Sequence, residues 1–230
     1  MMQDYLAEQG KEVGAWGQGA VALGLKGLVE KEHFCRLVDG LHPLTAESLT
    51  QRQREDRRCY LGTVLSAPKS FSLVAVLGQD DRLVRLFNES VDETMEIAST
   101  YAGVRVRAGG HDEDEQTGNM VYARFTHDVS RALDPALHAH IPIFNCTQTK
   151  DGAWKALQSA PLFERRRLLS EILLGKLASG ARELGYEIIQ TKDGFEITGI
   201  SHLHSAGRGR VVLDLFLQLD NRNGYWWGAF

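Results

Sequence analysis

The 230-residue chain carries a formal net charge of −4, with 43% apolar and 24% charged residues. That composition is ordinary for a soluble globular protein, and the length suits one large domain with a full core. It excludes a polycation that grips nucleic acid by bulk charge, so any such contact must come from local basic positions.

No apolar run approaches the roughly 18 residues that a membrane helix needs. The opening MMQDYLAEQG has no basic segment followed by an apolar one, so the sequence predicts a soluble, cytoplasmic protein without membrane contact. Cys35, Cys59 and Cys146 are odd in number and outside any CxxC pair, which fits a reducing compartment and thiols that act as small buried hydrophobes.

In chain order, the start is poor in helix signals. Residues 69–78, KSFSLVAVLG, form a short apolar run closed by Gly78 and read as a buried strand. DDRLVRLFNESVDETMEIASTYAG follows, with Leu83, Leu86, Phe87, Val91, Met95, Ile97 and Tyr101 mainly at helical spacing and an acidic start that favours the helix dipole. VRVRAGG alternates apolar and basic residues as an exposed strand does, and HDEDEQTG reads as a solvated acidic turn. NMVYARFTH and LHAHIPIFNCT read as strands joined by a loop, DVSRALDP. PLFERRRLLSEILLGKLASGARELG is a long helix with Pro161 in its first turn and Gly185 just past its end. YEIIQT and GFEITGI form a hairpin around KDG.

Three of the eight histidines, His127, His138 and His140, fall within fourteen positions of the two central strands. Side chains alternate across a strand, so His138 and His140 share a face about 7 Å apart, and an antiparallel return brings His127 beside them. Three imidazoles with open positions are the ligand set of a catalytic metal. A bare HxH is equally the pattern of ordinary surface histidines, and it leaves the class of metal open.

The flanks carry more. FTHDVSRALDPALHAHIPIFNCT resembles the signature of the conjugative relaxases of the MobF class (the TrwC/TraI family), F-x-H-[DE]-x-S-R-x-x-D-P-x-L-H-x-H-x-x-x-x-N-x-T. Every fixed position is present, from Phe125, His127, Asp128, Ser130 and Arg131 through Asp134, Pro135, Leu137, His138 and His140 to Asn145 and Thr147. LSAPKSFSL, TGNMVYARF and WGQGAVALGLKG resemble other segments of the family, so the likeness covers roughly residues 3–200. It implies an α+β fold of the HUH endonuclease kind, a central antiparallel sheet with helices packed on its back. Residues 1–200 form the relaxase domain, and residues 201–230 a divergent C-terminal tail in which His202 and His204 are not counted as ligands. No GxxxxGK[ST] loop of a helicase occurs.

The resemblance further implies metal-dependent nicking and strand transfer on single-stranded or hairpin DNA at an origin of transfer, through a tyrosine that stays joined to the 5′ end. One divalent ion (Mg, Mn or Zn) would sit on His127, His138 and His140, with Asp128 supporting an imidazole from behind. Accessory relaxosome and coupling proteins are the further partners it implies. Tyr5 matches the nucleophile, although Leu6 stands where a second tyrosine is common, and Gly62 stands where the family has an aspartate. Lys69, Arg105, Arg107, Arg124 and Arg131 are the expected phosphate contacts. The ERRR run, residues 164–167, reads as a solvated helix face, and Trp154 as a packing residue. Two readings follow: a tyrosine transesterase slowed by the missing acid, or a cleavage-deficient module that binds metal and single-stranded DNA.

Overall fold

Alternating strands and two long amphipathic helices give an antiparallel sheet backed by helices. A computed structural model describes residues 14–50, 57–108, 111–130, 133–200 and 214–219, with the side chains of 107–108, 111–112 and 214–219 left aside. The elements in order are β1 (Ala15–Trp16), a 3-10 helix (Gln18–Leu23), α1 (Lys31–Val38), β2 (Arg58–Ser66), α2 (Lys69–Leu77), α3 (Asp81–Ser99), β3 (Gly103–Ala108), β4 (His111–Gln116), β5 (Ala123–Val129), β6 (Pro135–Phe144), β7 (Thr147–Gln148), β8 (Trp154–Lys155), α4 (Ala160–Glu183), β9 (Ile188–Thr191), β10 (Gly194–Ile197) and β11 (Asp214–Leu219). The main sheet runs β1-β5-β6-β2-β11, every neighbour antiparallel. Three two-stranded ribbons, β3-β4, β7-β8 and β9-β10, stand outside it.

Local chemistry sets the helix ends. The Asp80 carboxylate accepts from the Arg82 N–H at 2.9 Å at the start of α3, with Asp81 in the first turn. Pro161 sits in the first turn of α4, and Gly185, with φ +93°, follows its C-cap in the left-handed conformation that glycine adopts without strain.

Period-two alternation gives the sheet two different faces. Leu61, Leu65, Leu137, Ala139, Ile141 and Ile143 point to one, where Phe71, Phe87, Met95, Leu173 and Leu177 from α2, α3 and α4 cover them. Burying each such side chain stabilises the fold by about 1.5–3 kcal/mol. Among the described residues a second cluster covers one end of the other face: Phe34 of α1 and Leu23 of the 3-10 helix pack on Ala123, Phe125 and Phe144. Phe34 meets Phe125 and Phe144 edge-on, with ring centres 5.9 and 5.3 Å apart.

Several elements differ from the sequence expectations. Residues 69–77 are helix α2, not a strand, and the absence of a polar face is explained by burial: Ser70, Phe71, Ser72, Leu73 and Ala75 are all buried. A short apolar run with no polar side is periodically ambiguous, and here the serines complete the interior bonding. Ser72 Oγ donates to the Pro68 carbonyl at 3.1 Å and accepts from the Leu137 N–H at 3.0 Å. The acidic stretch 111–116 is strand β4 rather than a turn: it pairs with the basic strand β3 in a register that sets Arg105, 3.5 Å from the Asp114 carboxylate, opposite that residue. The helix-poor start holds a 3-10 helix and α1, and β2 precedes α2 as a full nine-residue strand. Asp214–Leu219, in the expected tail, adds the edge strand β11 against β2.

Among the described residues no helix is long and apolar enough to cross a membrane. Cys59 and Cys146 are buried, and Cys35 is half-buried. Trp154 packs on the smaller cluster, as expected of a packing residue.

Candidate metal centre

The register of β5, β6 and β2 brings the histidines together. His127 pairs with His138, Phe125 with His140, Val64 with His140 and Ser66 with His138. Directly opposed residues share a face, so all three imidazoles lie on the face opposite the large helices, beyond the end that Phe34 and Phe125 cover. Ring centres are 5.2 Å apart for His127–His138, 5.0 Å for His127–His140 and 5.1 Å for His138–His140.

That spacing fits a shared ion. A metal–nitrogen bond of about 2.0–2.1 Å plus the about 1.2 Å from ring nitrogen to ring centre sets rings around a tetrahedral ion about 5 Å apart. As the rings stand, no three His, Cys, Asp or Glu side chains among the described residues form a ready coordination set. The orientation explains this, since His127 and His138 are stacked at an interplanar angle of 20°. Ring-centre spacing is the more telling measure, because rotation about Cβ–Cγ redirects the nitrogens and leaves the centre almost in place. His138 is already oriented: its Nδ1 lies 2.7 Å from the Ala136 carbonyl, which makes Nδ1 the protonated nitrogen and leaves Nε2 as the donor.

The electrostatics keep His127 and His138 neutral. Burial, reinforced by the His138 imidazole, pushes His127 down to about 4, with Asp128 opposing. Burial likewise lowers His138 against the opposing pull of the Ala136 carbonyl and Asp128. His127 is 5% exposed. A neutral imidazole with its lone pair available is what a metal ligand requires, so the donor set fits a divalent ion.

Asp128 is exposed, at an irregularity between His127 and Val129 that breaks the strict alternation. It acts on the rings through its charge. Gly62 pairs with Pro142 and so lies on the histidine face, one alternation beyond Val64. No carboxylate stands at that point.

The expected phosphate contacts divide. Lys69 is near the centre, but its Nζ donates to the Pro135 carbonyl at 2.8 Å, bracing the strand that carries His138 against the first turn of α2. Arg124 is on the opposite face, because even positions of β5 point to α3. There Asp92 Oδ1 and Oδ2 accept from its Nε and Nη2 at 2.8 and 3.1 Å, and Asn88 Oδ1 from Nη1 at 2.6 Å. The expectation that Arg124 lies by the histidines is therefore corrected: it ties the sheet to α3. Arg105 stands on the separate β3-β4 ribbon, exposed, 3.5 Å from Asp114. Arg107 lies on the same ribbon, and only its backbone is described. Tyr5, Leu6, Arg131, His202 and His204 lie outside the described residues.

The described tyrosines do not supply a nucleophile at the histidines. Tyr60 shares their face but pairs with Phe144, about 13 Å along the strand from His140, and burial with the nearby Cys59 pushes its phenol up to about 12. Burial raises Tyr122, which packs on the helix side. The Tyr186 hydroxyl is held by Asp80 at 2.5 Å. Sequence reasoning missed the Lys69 brace and the pairing of Ser66 with His138. Neither leaves a sequence signal beyond the proximity of Ser-Ala-Pro-Lys to the strand end.

Comparison with known proteins agrees with this architecture. The TrwC relaxase family profile matches residues 1–207. The multifunctional conjugation protein TraI of Escherichia coli is 40% identical over 181 residues, 74% of this chain and 10% of that protein. TraI of Escherichia coli strain K12 is 35% identical over 208 residues, 85% of this chain and 12% of that protein. The chain thus spans about a tenth of the length of these curated relatives. A metal-bound structure of the conjugative relaxase TrwC in complex with oriT DNA matches with a TM-score of 0.83 at 31% identity, over 90% of this chain and 74% of that one. TrwC complexed with a 27-mer DNA comprising the recognition hairpin and the cleavage site matches at 0.80 and 31%, over 89% and 74%. A fold shared over nine-tenths of the chain and a family profile that spans the histidine strands lead to one conclusion: the chain belongs to the TrwC relaxase family.

Proposed function

We propose that the protein binds single-stranded DNA at an origin of transfer and nicks it by transesterification, with Tyr5 as nucleophile and a divalent ion on His127, His138 and His140. The observation that carries the reading is the mutual spacing of 5.0–5.2 Å among three imidazoles on one sheet face. An ion bound there would supply positive charge to a non-bridging phosphate oxygen. The remaining work falls to the chain. The Tyr5 oxygen attacks phosphorus and loses its proton, the bond to the 3′-oxygen breaks, and that oxygen leaves to become a hydroxyl; the 5′ end stays on the tyrosine, so the step can reverse. Neutral His127 and His138 hold the site without adding proton competition near pH 7. Lys69 keeps the His138 strand in register through Pro135. Arg105, Arg107 and Arg131 remain proposed phosphate contacts, and accessory relaxosome proteins proposed partners.

The test is incubation with an end-labelled single-stranded oligonucleotide carrying an origin hairpin and cleavage site, with and without a divalent cation, followed by denaturing electrophoresis. A fragment covalently joined to the protein is expected, and it disappears in Tyr5→Phe. A second reading, binding without efficient cleavage, is favoured by Gly62, which puts no acid on the histidine face where a base would sit. Retarded mobility in a native gel with no covalent adduct supports that second reading.

A further inference from the structure

The turn between the two histidine strands holds a leucine in a conformation that opposes its own side chain. Leu133 has φ +61°, a region that costs any residue with a Cβ and that glycine or asparagine fills readily. The side chain is also 80% exposed. Scattered exposed leucines are ordinary, and Leu28, Leu77 and Ile189 are examples with unstrained backbone. The other two non-glycine residues of positive φ, Ala46 and Gln79, carry no large apolar group. Among the described residues Leu133 alone combines the two costs.

The turn that presents it is closely tied. The Ser130 N–H donates to the Asp134 carbonyl at 2.8 Å, the Leu133 N–H to the Ser130 carbonyl at 2.9 Å, and the Asp134 N–H to the Ser130 hydroxyl at 3.3 Å. Lys69 fixes the exit through the Pro135 carbonyl. Neither backbone nor core gains from leucine at this point, so its side chain points to a function outside the fold.

We propose that Leu133 is a nucleobase contact, an apolar prong on which an unpaired base of single-stranded DNA rests beside the histidine centre. The inference rests on the functional reading above and deepens it. The last strand pair, Val129 with Pro135, lies two residues past His127, which puts the turn about 10 Å from the histidines by strand rise. A nucleotide neighbouring one held at the histidines is within that reach. Bases that have lost their stacking partners expose apolar faces, and leucine is among the side chains that proteins set against them. A prong already fixed by its turn loses little freedom on contact.

The experiment compares wild type, Leu133→Asn and Leu133→Met in binding a short oligothymidylate and an abasic strand of equal length. Asparagine tolerates the left-handed backbone and removes the apolar group, whereas methionine keeps it. Leu133→Asn should bind oligothymidylate about fivefold more weakly and the abasic strand as wild type does, with a melting temperature equal to or slightly above wild type because the backbone strain is relieved. Leu133→Met should stay close to wild type on both strands. Equal binding of oligothymidylate by Leu133→Asn and wild type overturns the proposal. So does an equal loss on both strands, which assigns the leucine to the fold or to backbone contact. A wild-type protein that binds neither strand removes the functional reading, and the inference falls with it.

Discussion

The two faces of the central sheet are built from the same strands and have opposite chemistry. One carries Leu61, Leu65, Ala139 and Ile141 under three helices, and the other carries His127, His138 and His140 beside an apolar cluster at its far end. Alternation lets a single residue step move a side chain from the core to the site, so β5 and β6 serve both at once. Stability is gathered on the helix side, which frees the histidine side to hold a buried His127 and a half-buried His138 and His140 whose value to folding is small. Arg124 illustrates the division: one position from Phe125, it faces α3 and joins Asp92 rather than the histidines.

The comparison breaks most sharply on Tyr5. Tyr5→Phe removes only the attacking oxygen, so cleavage should fall at least about a thousandfold while oligonucleotide and metal affinities stay near wild type. Electrophoresis of the covalent adduct together with calorimetry reads both sides; undiminished cleavage would move the nucleophile to another residue.

On the helix face the corresponding blow is to stability. Phe71 is fully buried between sheet and hairpin, so Phe71→Ala should cost about 3–5 kcal/mol and lower the melting temperature by roughly 10 °C. The triple variant His127→Ala/His138→Ala/His140→Ala should lose its single metal site by calorimetric titration yet remain folded. A comparable loss of stability in both variants would erase the distinction between the faces.

A smaller effect should appear with pH in metal-free protein. His127 is held at about 4 in the folded chain and near 6.5 when unfolded, so between those values the unfolded state binds the extra proton. Stability is therefore greatest above about pH 6.5 and declines as pH falls towards about 4, by a few kcal/mol at most. Denaturant unfolding across that range measures it, and His127→Gln should flatten the slope.

The smallest effect sharpens the placement of Arg124. Arg124→Ala strips the partner from the half-exposed Asp92 and should cost about 1 kcal/mol of stability, with the salt dependence of DNA binding unchanged. A reduced salt slope would mean that Arg124 meets phosphate after all.

Much of the site was legible before any coordinates. His-x-His on a strand, with a further histidine at the end of the preceding strand and a short Asp-Pro loop between, brings three rings to one face if the loop returns the chain antiparallel, and the register of β5 and β6 shows that it does. The helix at 81–99 was plain from its periodic stripe, and the helix at 160–183 from its length and its ends, Pro161 in the first turn and Gly185 just past the last. Residues 69–77 were misread because the helix is short and apolar on nearly every side, even at exposed Leu77, so no polar stripe betrays its period. The strand at 111–116 was misread because its run of acids looks solvated until the arginines of the opposing strand are placed against it.

The sequence by itself determined the strand alternation, the helix periods and the family signature, since each depends on spacing within one segment. Only the tertiary structure decided that Arg124 faces a helix, that Lys69 braces Pro135, and that Leu133 is held outward by its turn. Those facts depend on which face of one segment meets which face of another, and a one-dimensional pattern does not specify the partner across a fold.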